Sequence, residues 1–210
     1  MLNIFRLFIV QSTYLIKENG IFSEIFPLAF TCDVSASKCR FFVTSICNII
    51  SLETFPERDN PKKRVFENAK MSVCILTMQK RKTSSCKFKL RINRDRFVDF
   101  SKECGVLSYD DLKRMDSKYL TIPLSESWNI DIIRKVFLHS NNFETYGKCN
   151  TGEIDMTFCR DAFTKNTSDI KMIRGANLDR YITKDTMSQG ETFYLNKTKL
   201  NEIKSIESNL

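Results

Sequence analysis

The sequence predicts an α/β protein, and three observations lead to that class. Helical and strand patterns alternate over the first 54 residues, 42% of the 210 residues are apolar, and one apolar run is typical of a buried strand. With 17 phenylalanines the chain can bury a substantial core. The small number of glycines and prolines, and the lack of low-complexity segments, argue against disorder.

Two helices and two strands follow one another at the start of the chain. Residues 2–19 place apolar side chains at helical spacing and precede Gly20, a residue type favoured just after a helix. A strand is predicted over 21–28, a second helix over 33–47 and a second strand over 48–54. This alternation is typical of a parallel α/β sheet.

The next stretch, RVFENAKMSVCILTMQK at 64–80, is the one around which the rest is organised. Its apolar second half, 71–79, predicts a strand that is buried on both faces. A long polar loop, PERDNPKKRVFENAK, precedes this strand, and long loops in compact domains usually carry function. KRKTSS then indicates a turn, so the strand 71–79 and the alternating segment 86–92 are predicted to form a hairpin.

Phe66 lies in the polar loop just before the buried strand, and its residue type allows two interpretations. A large aromatic ring at the mouth of a strand can close the end of the core as a plug. The same ring can instead stack on a ligand or a nucleobase at the edge of the sheet.

The pattern changes twice after residue 92. Residues 93–140 are predicted to form a helical connector, with a capping box at 108–111 and an amphipathic helix over 128–138. From Phe143 onward the chain has short β segments, namely FETYGKC, GEIDMTF, IKMIRGANL and RYIT. The predicted division is an α/β segment, a helical connector and a β-rich module, over 1–92, 93–140 and 141–210 respectively.

The net charge of +8 lies entirely in the first of these parts. Residues 1–92 hold 15 Lys and Arg against 7 Asp and Glu, whereas the remainder of the chain is balanced. The segment from Arg58 to Arg91 holds 11 basic and 2 acidic residues. Because solvated faces normally mix both signs, this segment indicates a surface that faces a polyanion. We expect its basic residues to flank one edge of the sheet.

Cysteine, histidine and the first residues exclude several classes. Eight cysteines form no CxxC pair and the chain has one histidine, so a zinc site is not expected. This cysteine usage indicates a reduced, cytoplasmic protein. The apolar centre of the first segment is short and no small-residue cleavage site follows it. A core helix is therefore expected there, and neither a signal peptide nor a membrane anchor.

Catalytic motifs are scarce. Neither GxGxxG nor GxxxxGK[ST] occurs, so the sequence shows no phosphate-binding loop. His139 is expected on a helix surface, and the sequence DIK at 169–171 is half of a nuclease motif that often occurs by chance. The residues alone name no reaction.

Longer segments resemble a known family. FPLAFTCDVSASKCRFF and FPERDNPKKRVFENAKMSVCILTMQK resemble the later part of the catalytic domain of adenine-N6 DNA methyltransferases. TGEIDMTFCRDAFTKNTSDIKMIRGANLDRYI resembles the opening of the TaqI-like C-terminal specificity domain of restriction-modification enzymes, including fused type IIG proteins. The pairing of GEIDMT with IRGANLDRY is the most specific part of this resemblance.

The resemblance implies the C-terminal part of a Rossmann-like methyltransferase sheet, then a helical connector and the start of a β-rich target-recognition domain. Enzymes of this family are cytoplasmic, use S-adenosylmethionine and flip an adenine out of double-stranded DNA. They carry a glycine-rich cofactor loop and an (N/D/S)PP(Y/F) motif upstream, but this sequence has no PP dipeptide. The chain thus resembles a fragment without the N-terminal part, and a separate chain is expected to carry the cofactor-binding half. No catalytic or cofactor-binding residue is assigned to it.

By the same resemblance Phe66 lies against the extruded base, which favours the stacking interpretation. We expect several basic and amide side chains to contact phosphates or bases. They lie near Phe66, on the predicted turn after the strand 71–79, and in the specificity module. For those in the specificity module, pairing with Asp169 or Asp179 is the alternative. The rival functions are a non-catalytic DNA-binding or specificity subunit and an inactive gene fragment. The expected DNA-binding residues are Lys62, Lys63, Arg64, Lys70, Lys80, Arg81, Arg174, Asn177 and Arg180.

Overall fold

The computed structural model describes residues 4–81, 83, 86–139, 145–148, 154, 156, 159–186 and 190–207, and its chain divides into two compact units, 1–141 and 142–210. The helices of the first unit are α1 (Phe5–Leu15), α2 (Ser37–Ile46), α3 (Tyr109–Met115) and α4 (Ile130–His139). Its strands are β1 (Ile21–Pro27), β2 (Asn48–Phe55), β3 (Val73–Gln79), β4 (Lys87–Ile92) and β5 (Gly105–Ser108).

The five strands form one mixed sheet in the order β1-β3-β2-β4-β5. β3 runs antiparallel to both β1 and β2, β4 runs parallel to β2, and β5 runs antiparallel to β4. The predicted α/β class is confirmed. The sheet is mixed and not parallel as predicted, because β3 reverses direction and inserts between β1 and β2.

The strand β3 is central, but only one of its faces is fully buried. Cys74, Leu76 and Met78 belong to the hydrophobic core, whereas the alternating positions Ile75 and Thr77 are half-buried. The prediction of a strand buried on both faces is therefore wrong for the second face.

The predicted hairpin between 71–79 and 86–92 is also wrong. Both edges of β3 are occupied, by β1 on one side and by β2 on the other. β4 consequently pairs with the free edge of β2, for example at Leu52 and Leu90. The connection from β3 to β4 therefore joins two strands that lie on opposite sides of β2.

Strand register brings two long loops to the same end of the sheet. Pro27 and Phe55 both pair with Val73, and Leu90 pairs with Gly105. β1, β2 and β4 thus end where β3 and β5 begin. We call the loops at this end, 56–72 and 93–104, the strand-end rim. The first residue of β5 is Gly105. A Cβ at this position would lie 2.1 Å from Cδ1 of Ile130 at the start of α4, so a larger residue here would require Ile130 to move.

A buried arginine connects two loops of the first unit. Arg40 on α2 is 1% exposed, and its guanidinium donates to the carbonyls of Phe30 (2.6 Å), Asp33 (3.0 Å), Tyr119 (2.7 Å) and Leu120 (3.0 Å). Burial lowers the pKa of Arg40. Leu120 has a left-handed backbone (φ 54°) and a fully buried side chain, so the arginine holds a strained segment against the core.

Helix boundaries differ from the prediction mainly at α1. This helix ends at Leu15, because Ile16 is extended (ψ 140°), and Asn19 takes the left-handed conformation (φ 63°) before Gly20. Asp33 does act as a cap, but of a short 3-10 turn that precedes α2. The predicted capping box at the start of α3 is confirmed.

One edge of the sheet lies open. β1 has a neighbour on one side only, and its residues Ile21 and Ile25 are 61% and 44% exposed. Ser23 lies between them and hydrogen-bonds Thr77 of β3 (2.7 Å). Among the described residues no strand pairs with the other edge of β1, and its two isoleucines lie exposed on one face.

The second unit contains short strands and one helix. β6 (Phe163–Thr164), β10 (Tyr194–Leu195) and β7 (Ile170–Lys171) form a three-stranded sheet, β8 (Leu178–Asp179) and β9 (Ile182–Thr183) form a hairpin, and α5 is Lys197–Glu207. Of the predicted β segments FETYGKC and GEIDMTF, residues 145–148, 154 and 156 are described and lie in no strand, and the rest lie outside the described residues. In the part of the chain that the structure describes, no helix has the length and apolarity needed to cross a membrane.

Candidate nucleic-acid interface

The loop 56–72 is ordered by its own hydrogen bonds. The carboxylate of Glu57 accepts from the backbone N–H of Asp59 (2.8 Å) and of Asn60 (3.0 Å), and these bonds lower the pKa of Glu57. The side-chain oxygen of Asn60 in turn accepts from the N–H of Lys62 (3.0 Å). The loop is therefore preorganised before any ligand binds.

Two of the loop's predicted phosphate contacts have partners within the loop. Nε of Arg64 donates to the carbonyl of Glu67 (2.9 Å) and Nη1 donates to that of Arg58 (3.2 Å). Lys70 forms an ion pair with Asp59 (2.9 Å), which lowers the pKa of that carboxylate. Arg64 thus shapes the loop, and the charge of Lys70 is compensated.

Lys62 and Lys63 differ from these neighbours. Both side chains are exposed, and neither has a carboxylate within 4.0 Å among the residues that the structure describes. Their charges are therefore available to a polyanion at the rim.

Phe66 lies on the same loop, three residues after Lys63, and its side chain is 44% exposed. It is not part of the hydrophobic core cluster. The carbonyl of Phe66 accepts from the N–H of Ala69 (3.2 Å), and Glu67 forms an ion pair with Arg96 of the second loop (2.7 Å). This exposure is what the stacking interpretation requires, whereas a core plug would be buried.

The second loop of the rim carries aromatic residues that sequence reasoning missed. Phe97 and Phe100 are 70% and 80% exposed, with the guanidinium of Arg96 5.5 Å from the first ring and that of Arg91 5.0 Å from the second. Exposed rings beside arginines are typical of surfaces that bind unstacked bases. The signal is the presence of two arginines and two phenylalanines in NRDRFVDF, at the start of the predicted helical connector.

A buried ion pair anchors this second loop. Nη1 of Arg91 contacts Glu53 on the neighbouring strand (2.7 Å), and the two side chains are 10% and 14% exposed. Asn93 donates to the other oxygen of Glu53 (3.1 Å), and Nη2 of Arg91 lies 2.8 Å from Sγ of Cys104. The end of β4 is thereby fixed to β2 directly under the rim.

Lys80 and Arg81 lie at the opposite end of the sheet, so the prediction of a single basic edge is wrong. They follow β3, whose seven residues extend about 20 Å from the rim. The ammonium group of Lys80 donates to the carbonyl of Ile16 (3.0 Å) and its side chain is only 19% exposed. Arg81 is exposed.

In the second unit the three predicted contact residues have different surroundings. Asn177 is 1% exposed; its oxygen accepts from the N–H of Arg174 (3.0 Å) and its amide donates to the carbonyl of Lys184 (3.2 Å). Arg174 lies over the ring of Phe193 (5.8 Å). Arg180 is exposed on the β8–β9 hairpin. Asn177 therefore maintains the local fold and is not accessible to a base.

The acidic partners considered for Arg180 are engaged elsewhere. Asp179 forms an ion pair with Lys184, and Asp169 accepts from the hydroxyl of Thr164 (2.8 Å). Among the described residues no carboxylate lies within ion-pair distance of the Arg180 guanidinium.

The rim does not fit S-adenosylmethionine. The depression beside it has a volume of about 720 Å³, is open to solvent and contains no glycine. Glu57, which could have held a ribose, is already bonded to backbone amides. No group of three metal-ligating side chains occurs among the described residues. The residues lining the depression are Pro56, Glu57, Arg58, Asp59, Lys63, Ser72, Ile92 and Arg94.

The chain matches no model of a known protein family and no curated protein.

Proposed function

We propose that this chain is the DNA-contacting part of a site-specific adenine-N6 DNA methyltransferase of a restriction-modification system. The observation that carries the proposal is that one ordered loop presents both the half-exposed side chain of Phe66 and the uncompensated charges of Lys62 and Lys63. This loop follows β2 at its carboxyl end, and ligands of open α/β sheets bind beyond the carboxyl ends of strands. The resemblance of the segments around the loop supplies the reaction class.

In this function Phe66 receives the extruded adenine. Extrusion of a base costs a few kcal/mol of stacking and pairing, and stacking on an aromatic ring returns about 1–3 kcal/mol. Lys62 and Lys63 bind the flanking phosphates, which positions the duplex without reading its sequence. Phe97 and Phe100 provide further rings on the same rim for neighbouring bases.

S-adenosylmethionine, which supplies the methyl group in this family, is assigned to no residue of this chain. We propose that a separate polypeptide carries the cofactor-binding half and the catalytic motif. The present chain then contributes binding, base extrusion and sequence recognition.

A second candidate, a non-catalytic DNA-binding or specificity subunit, is favoured by the carboxylates of the rim. A hydrogen bond from Lys70 lowers the pKa of Asp59, and hydrogen bonds from Ser101 lower the pKa of Asp99. Like Glu57, these two carboxylates accept hydrogen bonds within their own loops, which is a structural role that requires no catalysis. An inactive gene fragment is the third candidate.

The salt dependence of duplex binding tests the proposal. Fluorescence anisotropy of a labelled 20-base-pair duplex should show affinity falling steeply with salt concentration. Changing both Lys62→Gln and Lys63→Gln should reduce the log–log slope by about 1.8, because each lost phosphate contact removes about 0.9.

The matched control is the pair Lys38→Gln and Lys87→Gln, which removes the same charge from exposed residues outside the rim. We expect its slope to equal that of the unmodified chain. Equal slopes for both double variants would show that general charge, and not the rim, governs binding.

A further inference from the structure

The β8–β9 hairpin projects from the second unit. Nine consecutive residues, 178–186, are exposed, and they include both strands and the turn between them. The buried side chain of Asn177 holds the base of the hairpin, and the N–H of Lys184 donates to the carbonyl of Asn177 (2.7 Å). We call this element, residues 178–184, the ribbon.

The tip of the ribbon carries an unusual residue for its conformation. Tyr181 follows Arg180 in the turn, is 91% exposed and has φ 64°. This left-handed position is normally taken by Gly, Asn or Asp, because a bulky side chain is strained there. Because the ring of Tyr181 is exposed, packing against the rest of the protein does not offset the strain of its backbone. Such outliers are concentrated at binding sites.

The side chains of the tip form one unit. The guanidinium of Arg180 lies 5.4 Å from the centre of the Tyr181 ring, and it has no carboxylate partner among the residues described in the second unit. The one acidic residue of the turn, Asp179, is compensated by Lys184. The tip therefore presents a positive charge, five N–H donors and a phenol ring to the outside.

We propose that the ribbon enters the major groove of duplex DNA and that Arg180 and Tyr181 determine the sequence which is recognised. A two-stranded β-ribbon fits the width of the major groove, and arginine bound to O6 and N7 of guanine is the commonest specific contact there. The uncompensated charge of the tip favours a polyanion over a protein groove. This inference rests on the proposed function, since it assumes that the chain binds duplex DNA.

Selection from a random duplex library, with the full chain, tests the ribbon. The unmodified chain should enrich a short motif. Arg180→Gln should bind the enriched duplex about tenfold to a hundredfold more weakly and lose preference at one or two positions. Tyr181→Gly should lose preference as well, while its melting temperature is equal or higher, because glycine accepts the left-handed backbone.

Two controls separate the possible causes. Asn19→Gly places glycine at a left-handed position of the first unit (φ 63°) and should leave the motif unchanged. Replacing the purines of the enriched duplex by 7-deazapurines removes N7, the acceptor in the major groove. This replacement should weaken binding of the unmodified chain but not that of Arg180→Gln.

The outcomes distinguish the two proposals. If Arg180→Gln and Tyr181→Gly enrich the same motif as the unmodified chain, the ribbon does not read sequence, although the chain binds DNA. Insensitivity of the unmodified chain to 7-deazapurines would likewise overturn major-groove reading. If the unmodified chain binds no duplex, the proposed function and this inference both fail. Changing Lys62 and Lys63 to Gln should weaken binding to all duplexes and leave the motif intact.

Discussion

Single residues of this chain differ in whether their role could be recognised in the sequence. The role of Phe66 could be recognised, because a lone aromatic residue among basic loop residues is visible without a structure. Arg40 could not be, because its partners are four backbone carbonyls that lie far from it in sequence. Tyr181 also escaped notice, since its left-handed backbone depends on the turn and not on its residue type.

Phe66→Ala is expected to reduce the free energy of unfolding by less than about 1 kcal/mol, because the ring is already 44% exposed. Phe30→Ala, which removes a ring of the core that is 1% exposed, should cost about 3–5 kcal/mol. Urea denaturation of both variants measures the difference. A large loss for Phe66→Ala would identify Phe66 as a structural plug.

The same variant tests stacking when the chain is combined with a catalytic half. Loss of the ring should remove about 1–3 kcal/mol of stacking and reduce the fluorescence of 2-aminopurine at the target position. Phe66→Trp retains a flat π-face and should keep most of the signal. Undiminished fluorescence with Phe66→Ala would contradict contact with the base.

Arg40→Met should destabilise the first unit by about 3–5 kcal/mol, because the buried carbonyls lose their donors. Lys38→Met, on the same helix but exposed, should change stability by less than about 0.5 kcal/mol. Chemical denaturation followed by circular dichroism compares the two variants. Similar small effects would mean that water can replace the guanidinium.

At the scale of elements, α3 shows how a local signal predicts local structure. The sequence SYDD predicted the capping box that the structure contains. Arg134 of α4 then contacts the same carboxylate, Asp111, at 2.9 Å, which joins α3 to α4. Burial raises the pKa of Asp111, but hydrogen bonds from Arg134 and Ser108 outweigh it and leave the pKa below its usual value.

Because its pKa is lowered in the folded state, the contribution of Asp111 to the free energy of unfolding depends on pH. Its contribution is fully present above the unfolded-state pKa of about 3.9 and is lost as pH falls through the lower folded-state pKa. Asp111→Asn should cost about 1–2 kcal/mol at pH 7, and the difference from the unmodified chain should shrink as pH falls below the unfolded-state pKa. Thermal unfolding against pH tests this. Asp110→Asn, an exposed neighbour, is the control; a pH-independent loss for Asp111→Asn would contradict the linkage.

The pairing of strands could not be derived in the same way. The boundaries of β1, β2 and β3 follow from apolar runs, and they were predicted closely. That β3 inserts between β1 and β2 depends on contacts between residues distant in sequence, so the short turn after β3 was wrongly interpreted as a hairpin turn. The placement of Lys80 and Arg81 beside the loop 56–72 was a separate error, because they follow β3 and the loop precedes it, so the length of β3 separates them whichever strand it pairs with.

For the molecule as a whole, the proposed function predicts that the chain alone does not bind S-adenosylmethionine. Titration calorimetry at micromolar chain concentration should show no heat of binding, because the rim has no glycine-rich loop and its carboxylate Glu57 is occupied. The nucleic-acid assays serve as the positive control for an active preparation. Micromolar cofactor binding would contradict the assignment of the cofactor to a separate polypeptide.

The distribution of charge along the sequence was a better guide to the candidate interface than any sequence motif. The basic segment was recognisable from composition, but the structure reduces its freely available cations at the rim to Lys62 and Lys63. The other cations of the loop 56–72 are held by carbonyls or carboxylates, which depends on loop geometry that no local pattern specifies.

The open side of β1 has a practical consequence for the protein in concentrated solution. A strand edge that no other described strand pairs with, and that carries two exposed isoleucines, is a template onto which other chains can add strands. Pro27 ends the strand and prevents pairing beyond it, which limits the length of such a contact. Glu24 is the one charged side chain of β1 that opposes stacking into larger assemblies. Removal of this charge should therefore favour the addition of strands to β1 in concentrated solution.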